Sequence, residues 1–265
     1  MKIRLVVFIV ALVLLACIGS SAQRDNVREA KPGEVPFAYN VDDYGKVQIE
    51  SVEKVVFDKN STPEESPAHS CFHLEDKRPL PALDQGPRYF YPAESMVCVI
   101  PLADRSVKDF ARSYPYLHQA AAKLRKLLAK RPTYFKANRD LNDMPYNNAS
   151  SIVQSKIQYV DFKNGTGVLF LTQYSQDTLP TPINNEGLAC DFQGLSNDGK
   201  YYVAARLAIT NPSLPKGIDF AKPPGNDRTR AYLKKEEKML NAFADDSFHP
   251  TLTSLKSLIA SIKTE

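Results

Sequence analysis

Two turn signals in the middle of the chain leave few folds open. Lys163-Asn164-Gly165-Thr166 separates the apolar runs 152–162 and 167–174, and Ser196-Asn197-Asp198-Gly199 separates 188–195 from 200–209. Asn-Gly or Asp-Gly between apolar runs is a strong hairpin signal, because those residues tolerate positive φ. Two consecutive hairpins predict a four-stranded antiparallel meander. The connection between them, 176–187, holds Pro180, Pro182, Asn184 and Asn185 and reads as a polar loop.

The flanks supply more strands and then helices. Segment 46–57 is rich in Val and Ile, and 70–74 and 95–102 are two shorter strand patterns. Between the last two lies a Pro-rich connection with Tyr89, Phe90 and Tyr91, which has no assignment. Pro115 divides a helical stretch into a piece ending before Ser113 and a main helix over 116–130. In that main helix Leu117, Ala121, Leu124 and Leu128 share one face. Its basic residues Lys123, Arg125, Lys126, Lys130 and Arg131 lie off the stripe, where they are solvated and complement the helix dipole. A second helix is expected over 227–243. A third follows Pro250, with Leu252, Leu255, Ile259 and Ile262 as its buried stripe. The predicted class is α+β: an antiparallel β-sheet with a two-hairpin meander, covered on one or both faces by helices. One domain over 46–265 is expected, preceded by a flexible tether over 23–45.

The N-terminus speaks to compartment. Lys2 and Arg4 precede an uncharged run of 14 residues, Leu5 to Ile18, followed by Gly19-Ser20-Ser21-Ala22. A membrane span needs about 20 apolar residues, so the layout fits a signal peptide over 1–22, cleaved after Ala22. Leu14-Leu15-Ala16-Cys17 also resembles a lipoprotein lipobox, which makes Cys17 a lipidation candidate and a membrane anchor. The plainer alternative is that Cys17 is one more apolar residue of the leader. An uncleaved anchor is the third route. The expected location is exported, either secreted or periplasmic, with lipid anchoring in the envelope as the variant. With 34 basic against 30 acidic side chains, two of the basic ones in the leader, charge gives no case for nucleic acid.

Cys71, Cys98 and Cys190 remain beyond the leader, and an odd count outside the cytoplasm suggests one disulfide and one buried thiol. A Cys71–Cys98 bridge between neighbouring strands is favoured, with both other pairings open. The same region offers competing chemistry. On a strand, His69, Cys71 and His73 project from one face, a set that suits zinc or copper. Three such ligands span about 13 Å end to end, so a further ligand such as Asp76 or His118 is needed. A disulfide at Cys71 excludes this site.

No Gly-x-Ser-x-Gly elbow, His-Glu-x-x-His or phosphate loop occurs, so no catalytic residue is assigned and the chain leans away from an enzyme. A polar-aromatic group around the meander, Gln173, Tyr174, Asn184, Asn185 and Tyr202, is the candidate ligand-binding set. Internal packing of the tyrosines and turn bonds for the amides compete with it. Sequons occur at Asn60, Asn148 and Asn164, and the last sits in a hairpin turn.

Several stretches carry a resemblance: Tyr159-Val160-Asp161-Phe162-Lys163-Asn164-Gly165, Phe170-Leu171-Thr172-Gln173-Tyr174, Phe192-Gln193-Gly194-Leu195 and Asp198-Gly199-Lys200-Tyr201-Tyr202-Val203. Over about 95–215 the chain resembles a family of uncharacterised bacterial exported proteins. That likeness implies secretion or lipid anchoring and carries over no catalytic residues. The layout is also loosely similar to the photosystem accessory (PsbP-like) sandwich fold, which licenses no function. The leading expectation is a non-catalytic exported module, without cofactor, that binds a protein partner or polar ligand. The alternative is a metal-binding protein or metal-dependent enzyme centred on His69, Cys71 and His73.

Overall fold

The computed structural model describes residues 26–31, 33–58, 65–77, 93–146, 149–175, 182–217 and 230–264. The expected leader with Cys17, the segment Tyr89–Tyr91, and sequons Asn60 and Asn148 lie outside these residues. Nine strands form one antiparallel sheet among the described residues. They are β1 (Val27–Glu29), β2 (Tyr44–Val52), β3 (His69–Asp76), β4 (Met96–Pro101), β5 (Ser150–Ser151), β6 (Ser155–Phe162), β7 (Gly165–Ser175), β8 (Leu188–Ser196) and β9 (Tyr201–Ala208). The order is β1-β2-β3-β4-β9-β8-β7, with β5 and β6 both on the outer edge of β7. The expected meander is therefore β6-β7-β8-β9, and the N-terminal strands join it through β4 and β9.

The first turn differs from expectation in detail. Phe162 stands opposite Gly165, so the loop is Lys163-Asn164, and neither residue has positive φ. Gly165 is needed for close approach instead. A Cβ there would stand 2.1 Å from the Phe162 ring and 2.4 Å from the Leu195 carbonyl. At the second turn Gly199 does take positive φ, at +72°. Asn164 is half-buried and donates to Thr264 Oγ1 at 2.6 Å, so it is not the open acceptor its turn position suggested.

Helices cover both faces. On one side lie α1 (Phe110–Ser113) and α2 (Pro115–Lys130), with α2 packed on β7 and β8. Pro115 occupies the first turn, where a missing N–H costs nothing. Leu117, Ala121 and Leu124 are buried as expected, whereas Leu128, expected on the same stripe, is only half-buried and Leu127 is buried in its place. α3 (Ala137–Asp140) follows. On the other side α4 (Arg230–Ala242) and α5 (Leu252–Ser261) pack on β6. The expected α5 stripe is fully buried, with Leu252, Leu255, Ile259 and Ile262 all at 0% exposure.

Segment 23–45 is not a free tether where it is described. β1 pairs with β2, and Phe37 packs in the core against Phe72 at 5.7 Å between ring centres. Lys263 N bonds to Pro36 O at 2.8 Å, and Ala38 N to Ser261 Oγ at 2.7 Å. Val35, Phe37 and Tyr39 alternate with polar or small residues. Strapped over the end of α5, that period of two is enough to anchor a short extended chain.

Candidate functional site

β8 and β9 each carry one charge inside an apolar run. Asp191 stands directly opposite Arg206 in the ladder, on the face that also carries Tyr202 and Ala204 of the α2-side core. Asp191 is fully buried. It accepts from Tyr174 Oη at 2.5 Å and from Arg206 Nε at 3.4 Å. The Arg206 guanidinium lies 4.1 Å from the Tyr174 ring centre, a cation–π stack. Asp143, just after α3, places Oδ1 3.5 Å from the same tyrosine oxygen.

These neighbours set the protonation states. Burial, reinforced by the charge of Asp191, pushes Asp143 up to about 7, against the pull of Arg206. Burial also raises Asp191, opposed by Arg206. Burial works against the Arg206 cation, yet Tyr174 and Asp191 outweigh it and hold the guanidinium above its usual value. Tyr174 spends its one proton on Asp191, so a protonated Asp143 is the form that can donate back to Tyr174. A second polar chain runs alongside. Tyr202 Oη donates to Gln193 Oε1, and Gln193 Nε2 donates to Asn142 O at 3.0 Å. Lys123 of α2 then donates to Asn142 Oδ1 at 2.8 Å.

The five expected ligand-binding residues therefore have other work. Gln173, Tyr174, Asn184 and Tyr202 are buried. Gln173 Nε2 bonds to Pro182 O at 2.9 Å, and Asn184 Oδ1 accepts from the backbone of Glu186 and Gly187, both at 3.0 Å. Asn185 Nδ2 ties down Asn211 O and Leu214 O at 3.0 and 3.1 Å. The amides shape the loop into β8, and the tyrosines belong to the buried network. As a solvent-facing platform the set is not assembled.

The expected disulfide is present: Cys71 and Cys98 are bridged directly across β3 and β4, and Cys190 is a free, buried thiol. Burial, helped by Asp191, raises that thiol well above its usual value, which keeps it unreactive. The bridge occupies the Cys71 sulfur, so the expected His69, Cys71 and His73 set lacks its thiolate while the bridge is closed. His73 Nε2 instead meets Glu50 Oε2 at 2.7 Å, and His69 Nδ1 meets Pro67 O at 2.8 Å. Burial lowers His69. Asp76 lies at the end of β3, and His118 is exposed on α2.

A larger concave surface lies elsewhere, at the β5 edge. A groove of about 900 Å³ runs between α3 with the following segment 151–154 and the flank of α4. Ala137, Val153 and Leu233 supply its apolar part. Asn138 builds the wall by exchanging bonds with Ser151, donating to its O at 3.1 Å and accepting from its N at 3.2 Å. Lys136, Arg139, Lys234 and Lys238 stand on the rim against one acid, Glu237. Asp140 neutralises Arg139 through two contacts of 2.8 Å. Lys136, Lys234 and Lys238 make no ion pair of that kind among the described residues. Burial raises Glu237, opposed by Lys234, so the one rim acid is itself weakened.

None of Asp143, Asp191, Arg206 or the groove lysines stood out in the sequence. A signal for the buried pair existed, because a turn centred on Asn197–Gly199 sets 191 opposite 206. No such rule reaches the groove, whose walls are at least 79 residues apart in the chain. No protein-family model, curated protein or solved structure matches the chain. Among the described residues no helix is long and apolar enough to cross a membrane, and the disulfide fits a compartment outside the cytoplasm.

Proposed function

We propose that this chain is an exported, non-catalytic binding module whose groove between α3 and α4 takes an anionic partner, such as an acidic peptide segment. The carrying observation is the groove itself: about 900 Å³, partly apolar, with Lys136, Lys234 and Lys238 lining it against a single acid, Glu237, and none of the three in a close salt bridge among the described residues. A volume of this size is typical of ligand sites built from apolar walls and a few placed charges. The leader over 1–22 and the disulfide together support export, and Cys17 is the residue through which a lipid anchor would attach.

The test is fluorescence anisotropy with a labelled poly-glutamate peptide on the exported protein. Binding is expected at low salt and should weaken as ionic strength rises, since exposed charges are screened within about 10 Å at 0.1 M. Lys136→Glu, Lys234→Glu and Lys238→Glu together should lower the affinity by more than about tenfold. Absence of binding at low salt, or equal binding by the triple variant, contradicts the reading.

A further inference from the structure

Far from the groove, metal-ligating side chains form a cross on the α2 side of the sheet. Cys71 is its centre. Glu50 of β2 and Cys98 of β4 stand directly opposite it on either side, and His69 and His73 lie two residues away along β3. Leu74 N bonds to Ser95 O at 2.8 Å, which makes that pair a hydrogen-bonded one. Three residues along, Cys71 and Cys98 therefore form a non-hydrogen-bonded pair, the kind that brings Cα atoms and side chains closest. Their Cα atoms are 4.1 Å apart. A His69 ring nitrogen and both sulfurs all lie within 4.8 Å of one another.

His69 is prepared for more than packing. Its Nδ1 faces Pro67 O at 2.8 Å, and a carbonyl can only accept, so Nδ1 carries the proton and Nε2 keeps its lone pair. A carbonyl behind Nδ1 is the support that metal-bound imidazoles usually have. Glu50 and His73 bind each other at 2.7 Å, which leaves His69 and the two sulfurs as the open set.

We propose that opening the Cys71–Cys98 bridge turns this patch into a redox-gated zinc site, with His69 and the two cysteine sulfurs as ligands. An external dithiol is the reductant. Its two thiols become a disulfide, the Cys71–Cys98 bond breaks, and each cysteine gains one electron and one proton. Zinc then displaces the two thiol protons and binds both thiolates and the neutral imidazole. Three protein ligands leave one tetrahedral position for water. While the bridge is closed neither sulfur can ligate as a thiolate, so the site exists only in reducing surroundings. The strands already hold the ligands together, so little rearrangement is needed. This inference is independent of the groove.

The experiment is a zinc titration of the exported protein against a chromophoric chelator. One sample is oxidised, the other reduced with dithiothreitol and desalted without air, with circular dichroism recorded in parallel. One zinc per reduced chain and none per oxidised chain are expected. His69→Ala should weaken zinc binding by more than about tenfold, whereas Cys190→Ala should leave it unchanged. If reduction alone loosens the fold, recovery of the native spectrum on adding zinc supports the site, and failure to recover overturns it. A reduced, folded chain that binds no zinc also overturns it. Equal binding by the oxidised chain, or by His69→Ala, does the same.

Discussion

Against the α5 face of the sheet, Leu252, Leu255, Leu258 and Ile259 meet a layer that includes Phe72, Leu171, Phe192 and Leu207. Against the α2 face, the same strands present Asp191, Arg206, Gln193 and Tyr202, and the 141–146 segment is wedged between helix and sheet by hydrogen bonds to both. The first face is held by area removed from water, which is nearly indifferent to pH and partner identity. The second has an apolar cluster of its own, with Leu117, Leu124, Val168 and Phe170, and adds buried polar groups that cost free energy unless they are partnered. One of these atoms, Arg206 Nη2, has no hydrogen-bond partner among the described residues.

That contrast can be broken from either side. The largest effect is expected from Asp191→Ala, which leaves the Arg206 cation buried and uncompensated. About 4 kcal/mol of stability should be lost in urea unfolding. Adding Arg206→Met should restore most of it, and failure to do so would mean that the pair is not one unit. Next is Leu255→Ala on the apolar face, expected to cost about 3 kcal/mol by the same measure. That loss should be the same at pH 5 and pH 8, because no titrating group is disturbed.

The smallest of the three sharpens the comparison through pH. Asp143 is pushed up to about 7 in the fold, against about 3.9 in an unfolded chain. The folded state therefore holds this proton more tightly. Its contribution is fully present below pH 4 and is lost as pH rises through 7. Asp143→Asn removes the titration and should make the protein more stable than the unmutated chain at pH 8, by about 2 kcal/mol after allowance for partial exposure. Parallel stability–pH curves for the two proteins would show that Asp143 is solvated like an ordinary carboxylate.

The sheet and its helices were legible because their signals are local. Turn residues at 163–166 and 196–199, apolar periods of two and the α5 stripe each speak for a short stretch. Cys71–Cys98 was favoured because both cysteines fall in neighbouring predicted strands, although the pairings with Cys190 stayed open until the bridge was seen. What escaped was everything that depends on distant parts meeting. For Tyr174 and Tyr202 the sequence left surface recognition open beside internal packing, and only their burial among β7, β8 and β9 decides for packing. Val35, Phe37 and Tyr39 looked like tether because a period of two over only three apolar residues is too short to stand out from the polar residues around it. The groove is a meeting of α3 with a helix that begins at Arg230, and neither segment is unusual alone.

The most direct measurement is an NMR titration of the protein with the same poly-glutamate peptide, following backbone amides. Shifts concentrated in 134–139, 151–154 and 233–241 are expected, because those residues wall the groove. Shifts gathered instead on the exposed basic flank of α2 around Arg125, Lys126 and Lys130, or no shifts at low salt, would contradict the groove as the binding site.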